Sequence, residues 1–102
     1  MMKSFGDMMK QAQKMQKSMG ELQEKLVEER YEATAGGGMV KAIVDGKQMV
    51  REIKLSPKAL EEKDVTLIED LIITAIGEAQ RTSQEKMAEA YSKVTGGFNM
   101  PF

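Results

Sequence analysis

Four lysines stand in the first nineteen residues, Lys3, Lys10, Lys14 and Lys17, against one carboxylate, Asp7. Their separations of 7, 4 and 3 residues return to one side of an α-helix, and residues seven apart there are spaced about 10.5 Å along the axis. A row of ammonium groups at that spacing suits electrostatic contact with successive negative charges, such as a phosphate backbone. Gln11, Gln13 and Gln16 lie among them and can donate and accept hydrogen bonds. A solvated outer helix face has the same look, and charge alone leans that way. The segregation of sign argues for contact. Residues 1–19 carry a net +3 and residues 20–32 a net −3 (Glu21, Glu24, Glu28, Glu29 and Glu32 against Lys25 and Arg30), although the whole chain is only −1. Further along, Arg81, Lys86 and Lys93 could add phosphate contacts, but Glu85 and Glu89 interleave with them, so mixed surface pairing is the favoured reading for each alone.

Other chemistry is thinly supplied. His, Cys and Trp are absent, which removes thiol nucleophiles, imidazole bases and nearly all zinc sites. No acid/base pair of carboxylates stands out, so an enzyme is not expected. Gly36-Gly37-Gly38 is followed by a β-branched run rather than a helix, so it reads as a hairpin turn and not a phosphate-cradling loop. Glu28, Glu29 and Glu32 lack a calcium-loop pattern and read as a solvated acidic face. No cofactor, metal or small-molecule substrate is expected.

The lysines are positioned by a helix with a clear second face. Phe5, Met8, Ala12, Met15, Met19, Leu22 and Leu26 are separated by 3, 4, 3, 4, 3 and 4 residues, an unbroken a/d seam. With Phe5 at position a, Lys3, Lys10 and Lys17 fall at f and Lys14 at c, opposite the seam. Ser4 or Asp7 can cap the start. A helix of this length, about 37 Å, exceeds the roughly 33 Å diameter of a compact globule of this size and should overhang it. The seam fits one partner helix, in the same chain or a second subunit.

Three strands follow. Tyr31, Ala33 and Ala35 alternate with Glu32 and Thr34; Met39 to Asp45 is a second run; Asp45-Gly46 signals a two-residue turn. Lys47 to Leu55 then puts Met49, Arg51, Ile53 and Leu55 on one face and Val50, Glu52 and Lys54 on the other. Ser56-Pro57 opens a single helical turn. Asp64 caps a last helix over about 65–94, whose first half (Leu67, Ile68, Leu71, Ile72, Ile73, Ala75, Ile76, Ala79) should cover the sheet while the second half projects. The expected class is α+β: long N-terminal helix, three-stranded antiparallel sheet, long C-terminal helix. Residues 1–95 read as one domain and 96–102 as a mobile tail. With 41% apolar and 30% charged residues, the balance is that of a soluble globular chain. No membrane span or secretory signal is expected.

Several segments together resemble the YbaB/EbfC family of bacterial nucleoid-associated proteins: MMKQAQKMQKSM (8–19), AGGGMVKAIVDGK (35–47), REIKLSPKAL (51–60), LIEDLIITAIGEAQ (67–80) and KVTGGFNMPF (93–102). The resemblance covers nearly the whole chain. It implies a homodimer joined through its sheets, with projecting helical arms, that binds duplex DNA in the cytoplasm and nucleoid and influences chromosome organisation and gene expression. Met8, Lys10, Gln11, Gln13, Lys14 and Met15 match the family's N-terminal helix motif. The DNA-contact set expected on these grounds is Lys10, Gln13 and Lys14, with Lys3, Lys17, Arg81 and Lys86 added from charge. The alternative is a protein-interaction adaptor that receives a partner helix on its Met-rich seam.

Overall fold

The computed structural model describes residues 4–95; Lys3 and the residues read as a tail, 96–102, lie outside them. The element order is α1 (Phe5–Glu28), β1 (Tyr31–Ala35), β2 (Val40–Val44), β3 (Val50–Leu55), α2 (Pro57–Glu61) and α3 (Val65–Thr95). Ser4 caps α1, its hydroxyl accepting the Asp7 N–H at 3.2 Å. At the other end the Arg30 guanidinium donates to the carbonyls of Val27 and Glu29 at 2.7 and 2.8 Å, satisfying groups a helix end leaves without partners. Asp64 caps α3 through the Leu67 N–H at 3.0 Å.

The sheet is an antiparallel meander in the order β1-β2-β3. All three glycines of Gly36-Gly37-Gly38 take positive φ, from 65° to 95°, which lets the β1–β2 turn close. Alternation then sends Tyr31, Ala33, Ala35, Val40, Ala42, Val44 and Ile53 to one face. α3 lies across that face, adding Leu71, Ile72, Ala75, Ile76 and Ala79 at three- and four-residue spacing. The core is small and rich in alanine, so helix and sheet approach closely.

Three details depart from strict alternation and helical periodicity. The β2–β3 turn is a three-residue loop rather than a two-residue one: the Asp45 N–H donates to the Met49 carbonyl at 2.9 Å, the Gln48 N–H to the Asp45 carbonyl at 3.1 Å, and Gln48 is left-handed with φ 69°. Beyond it β3 carries a bulge. Val44 pairs with Val50 and Ile43 with Glu52, leaving Arg51 unpaired in the ladder. Val50 therefore shares the face of Val44 instead of that of Glu52. On α3, Ile73 is 68% exposed; a flat sheet covers one stripe of a helix, and Ile73 is turned 100° out of that stripe from Ile72.

The molecule measures 70 × 24 × 16 Å with a radius of gyration of 19.8 Å, against about 13 Å for a compact domain of this size. The excess comes from the helices. α1 and the last part of α3 leave the sheet at its β2–β3 turn and form an arm.

Candidate nucleic-acid interface

The arm is rooted in Asp45 and Gly46. The Gly46 N–H donates to the Leu26 carbonyl at 2.7 Å, near the end of α1. A Cβ at Gly46 would lie 2.6 Å from that oxygen, so only glycine permits the approach. Asp45 is fully buried. Its Oδ1 accepts the N–H groups of Lys47 and Met49 at 2.7 and 3.0 Å, and its Oδ2 takes Arg51 Nε and a terminal guanidinium nitrogen, each at 2.9 Å. Burial alone would raise this carboxyl's pKa; the two backbone N–H groups and the Arg51 guanidinium outweigh it and hold the pKa below the ordinary carboxylate value. The buried Ser83 hydroxyl donates to the Asp45 carbonyl at 2.8 Å, and Gln80 and Gln84 reach Gln48 at 3.1 and 2.9 Å. One loop thus fixes where α1 ends and where α3 leaves the sheet.

Beyond that root the seam opens by degrees. Leu26 is buried, Leu22, Met19 and Met15 are half-buried, and Ala12, Met8 and Phe5 are exposed. α3 is the partner helix near the root, where the two helices pack. The outer half of α1 has no such cover among the described residues.

The opposite face of α1 carries the lysines. Lys10, Lys14 and Lys17 are exposed, and none makes an ion pair with a described residue. Asp7, Lys10, Gln11 and Lys14 line an open surface groove of about 450 Å³, and Gln13 is exposed beside it. The cations expected on α3 are differently placed. Arg81 is paired with Glu78 at 2.6 Å and Lys86 with Glu89 at 3.8 Å. The structure therefore groups Lys10, Gln13, Lys14 and Lys17 on α1 and holds Arg81 and Lys86 in surface pairs on α3. Lys3 lies outside the described residues. Among those residues no three acidic side chains gather closely enough to hold a metal ion, and no helix is long and apolar enough to cross a membrane.

Residues 2–98 match the model of the YbaB/EbfC DNA-binding family. The chain belongs to that family. A nucleoid-associated protein of Desulforamulus reducens is 48% identical over 98 residues, covering 96% of this chain and 93% of its own length. One from Thermoanaerobacter pseudethanolicus is 41% identical over 98 residues, covering 96% of this chain and 88% of that protein. The crystal structure of an uncharacterized Helicobacter pylori protein superposes with a TM-score of 0.82 over 93% of this chain and all of that one, at 19% identity. That likeness concerns the fold. YbaB/EbfC membership places the chain in a nucleoid-associated DNA-binding family and not in an enzyme class. The residue that sequence reading missed in this YbaB/EbfC chain is Asp45. Asp-Gly announced a turn, while the burial of its carboxylate depends on Arg51 and its carbonyl's partner is Ser83, 38 residues away.

Proposed function

We propose that the chain binds duplex DNA as a homodimer, through phosphate contacts made by Lys10, Lys14 and Lys17 on α1, with Gln13 and Lys3 as further contacts. The supporting observation is the state of the charges: Lys10, Lys14 and Lys17 on α1 are exposed and unpaired among the described residues, whereas Arg81 and Lys86 on α3 already have carboxylate partners. Arg81 and Lys86 are secondary contacts in this reading. Unpaired ammonium groups displace counterions from DNA at no cost of a lost ion pair. Local charge on the arm does this work in a chain whose net charge is −1. The role is architectural and regulatory, in the cytoplasm and nucleoid, and involves binding without catalysis.

The dimer joins through the sheet. Its outer face is not covered by α3, and there Ile43 lies among Arg30, Glu32, Arg51 and Glu52. Val50 and Leu55 on edge strand β3 are 41% and 40% exposed, and an uncovered edge is a template for pairing.

Anisotropy titrations of a labelled duplex at several salt concentrations test the reading. Two subunits presenting about 6–8 basic contacts predict a slope of log K against log salt of about −5 to −7. Light scattering on the same samples should give twice the chain mass. Absence of binding to any duplex at low salt contradicts the DNA reading, and a monomer at assay concentration contradicts the dimer.

A further inference from the structure

α1 presents two faces, and the DNA contact proposed above uses one. On the other, Phe5 is 77% and Met8 59% exposed, and Met8, Gln11, Ala12 and Met15 line a shallow groove of about 220 Å³. We propose that this open half of the seam pairs, antiparallel and tip to tip, with the same surface of a second copy of the chain, and that the pairing links copies seated on separate stretches of DNA. The linkage rests on the DNA reading; the pairing does not.

The seam is self-complementary. An antiparallel pair brings a positions against d positions. Centred at the level of residue 10, it sets Met8 of each copy against Ala12 of the other, a long side chain over a small one, twice. The same register sets Phe5 against Met15. A two-fold contact of this kind uses one patch on both partners.

The charges allow it. In paired helices the e and g positions flank the seam, and like charges there prevent self-pairing. In the outer half of α1 these positions are Met9, Gln11, Gln16 and Ser18, all uncharged. Asp7, Lys10, Lys14 and Lys17 sit at the outer c and f positions. A helix that binds phosphates through its lysines therefore turns its apolar seam away from the DNA, toward another arm.

Size sets when the pairing acts. Three helical turns bury far less than the roughly 1,600 Å² of a standard stable interface, so isolated copies pair weakly. DNA holds many copies at high local concentration, and weak contacts then become effective together.

The test is a two-duplex capture assay: one duplex immobilised, a second labelled and free, with the full-length protein added. Phe5→Ser/Met8→Gln removes the apolar tip without altering charge, and circular dichroism verifies the helix. Wild type should capture the second duplex. The double variant should bind a single duplex within about twofold of wild type yet capture the second about tenfold less. Because the chain has no cysteine, a mixture of Met8→Cys and Ala12→Cys proteins adds a direct readout. Under oxidation they should cross-link to each other, more so as protein or DNA is added, while a Lys10→Cys control on the opposite face should not. Wild type that binds one duplex but captures no second, or a double variant that captures normally, overturns the linkage and leaves the DNA reading intact. A double variant that loses single-duplex binding assigns the tip to DNA and overturns the pairing. Wild type that binds no duplex removes the DNA reading and the linkage together, and absence of the Met8–Ala12 cross-link then overturns the pairing as well.

Discussion

Replacing Asp45 by asparagine changes one oxygen for an NH₂ group at the root of the arm. In the folded protein Oδ1 already takes the Lys47 and Met49 N–H groups, and an amide oxygen can keep both. Oδ2 faces two nitrogens of Arg51, each at 2.9 Å; an NH₂ group there sets donor against donor. Hydrogen bonds to charged groups contribute about 1.5–3 kcal/mol net, and a buried donor without a partner costs about 1–3 kcal/mol. Removing one member of a buried ion pair costs about 3–5 kcal/mol, but the Arg51 side chain is 42% exposed and recovers part of its loss from water. The expected destabilisation is therefore about 2–3 kcal/mol. Urea unfolding at neutral pH should show a lower midpoint with an unchanged slope. The pH dependence gives a second check. The folded pKa of Asp45 lies below its unfolded value, so its contribution is complete above the unfolded pKa of about 3.9 and is lost as pH falls through the folded one. The gap between wild type and Asp45→Asn should be constant from about pH 5 to 7 and close progressively below about pH 4. A cost under about 0.5 kcal/mol, within the usual range for surface substitutions, would refute the assignment of Asp45 as the arm's anchor. So would a gap that widens on acidification.

Three further comparisons probe separate parts of the molecule. Gly46→Ala drives a methyl to 2.6 Å from the Leu26 carbonyl oxygen, where the neighbour is backbone and cannot swing aside; thermal unfolding should show a loss of about 2 kcal/mol or more. Gly20→Ala lies mid-helix on α1 with nothing within 4 Å of the new methyl and should stabilise by about 0.8–1 kcal/mol in the same assay. Arg81→Gln combined with Lys86→Gln removes cations already held by Glu78 and Glu89; DNA affinity should fall by less than for Lys10→Gln combined with Lys14→Gln, measured by anisotropy in one buffer.

The seam and the lysine stripe were legible because both follow from helical periodicity within one element. Phe5 through Leu26 gave the seam, and placing Lys10, Lys14 and Lys17 opposite it needed only 100° per residue. Ser4, Asp64 and the triple glycine were legible for a similar reason, since caps and tight turns are local chemistry. How far α3 covers the seam was not legible. Exposure at Phe5, Met8 and Ala12 is set by where α3 ends beside α1, and by no property of α1 itself. Asp45 was misread for the same kind of reason. Its two-residue neighbourhood signals a turn, but its burial comes from Arg51 across a bulge and Ser83 on another helix. The bulge in turn put Val50 on the face that alternation denied it. Pairing of Arg81 and Lys86 could be read, because Glu78 and Glu89 stand three residues away on the same helix.

The proposed hold of DNA by the lysines of α1 depends on the sign of their charge. Charge reversal tests it most directly: Lys10→Glu with Lys14→Glu, compared with wild type on two unrelated duplexes by anisotropy across a salt series, with light scattering to follow the oligomer. Affinity should fall on both duplexes alike, the slope of log K against log salt should become shallower by about 3–4 if each of two subunits loses two contacts, and the oligomer should be unchanged. Wild-type affinity and an unaltered slope in the reversed protein would place the DNA contact elsewhere.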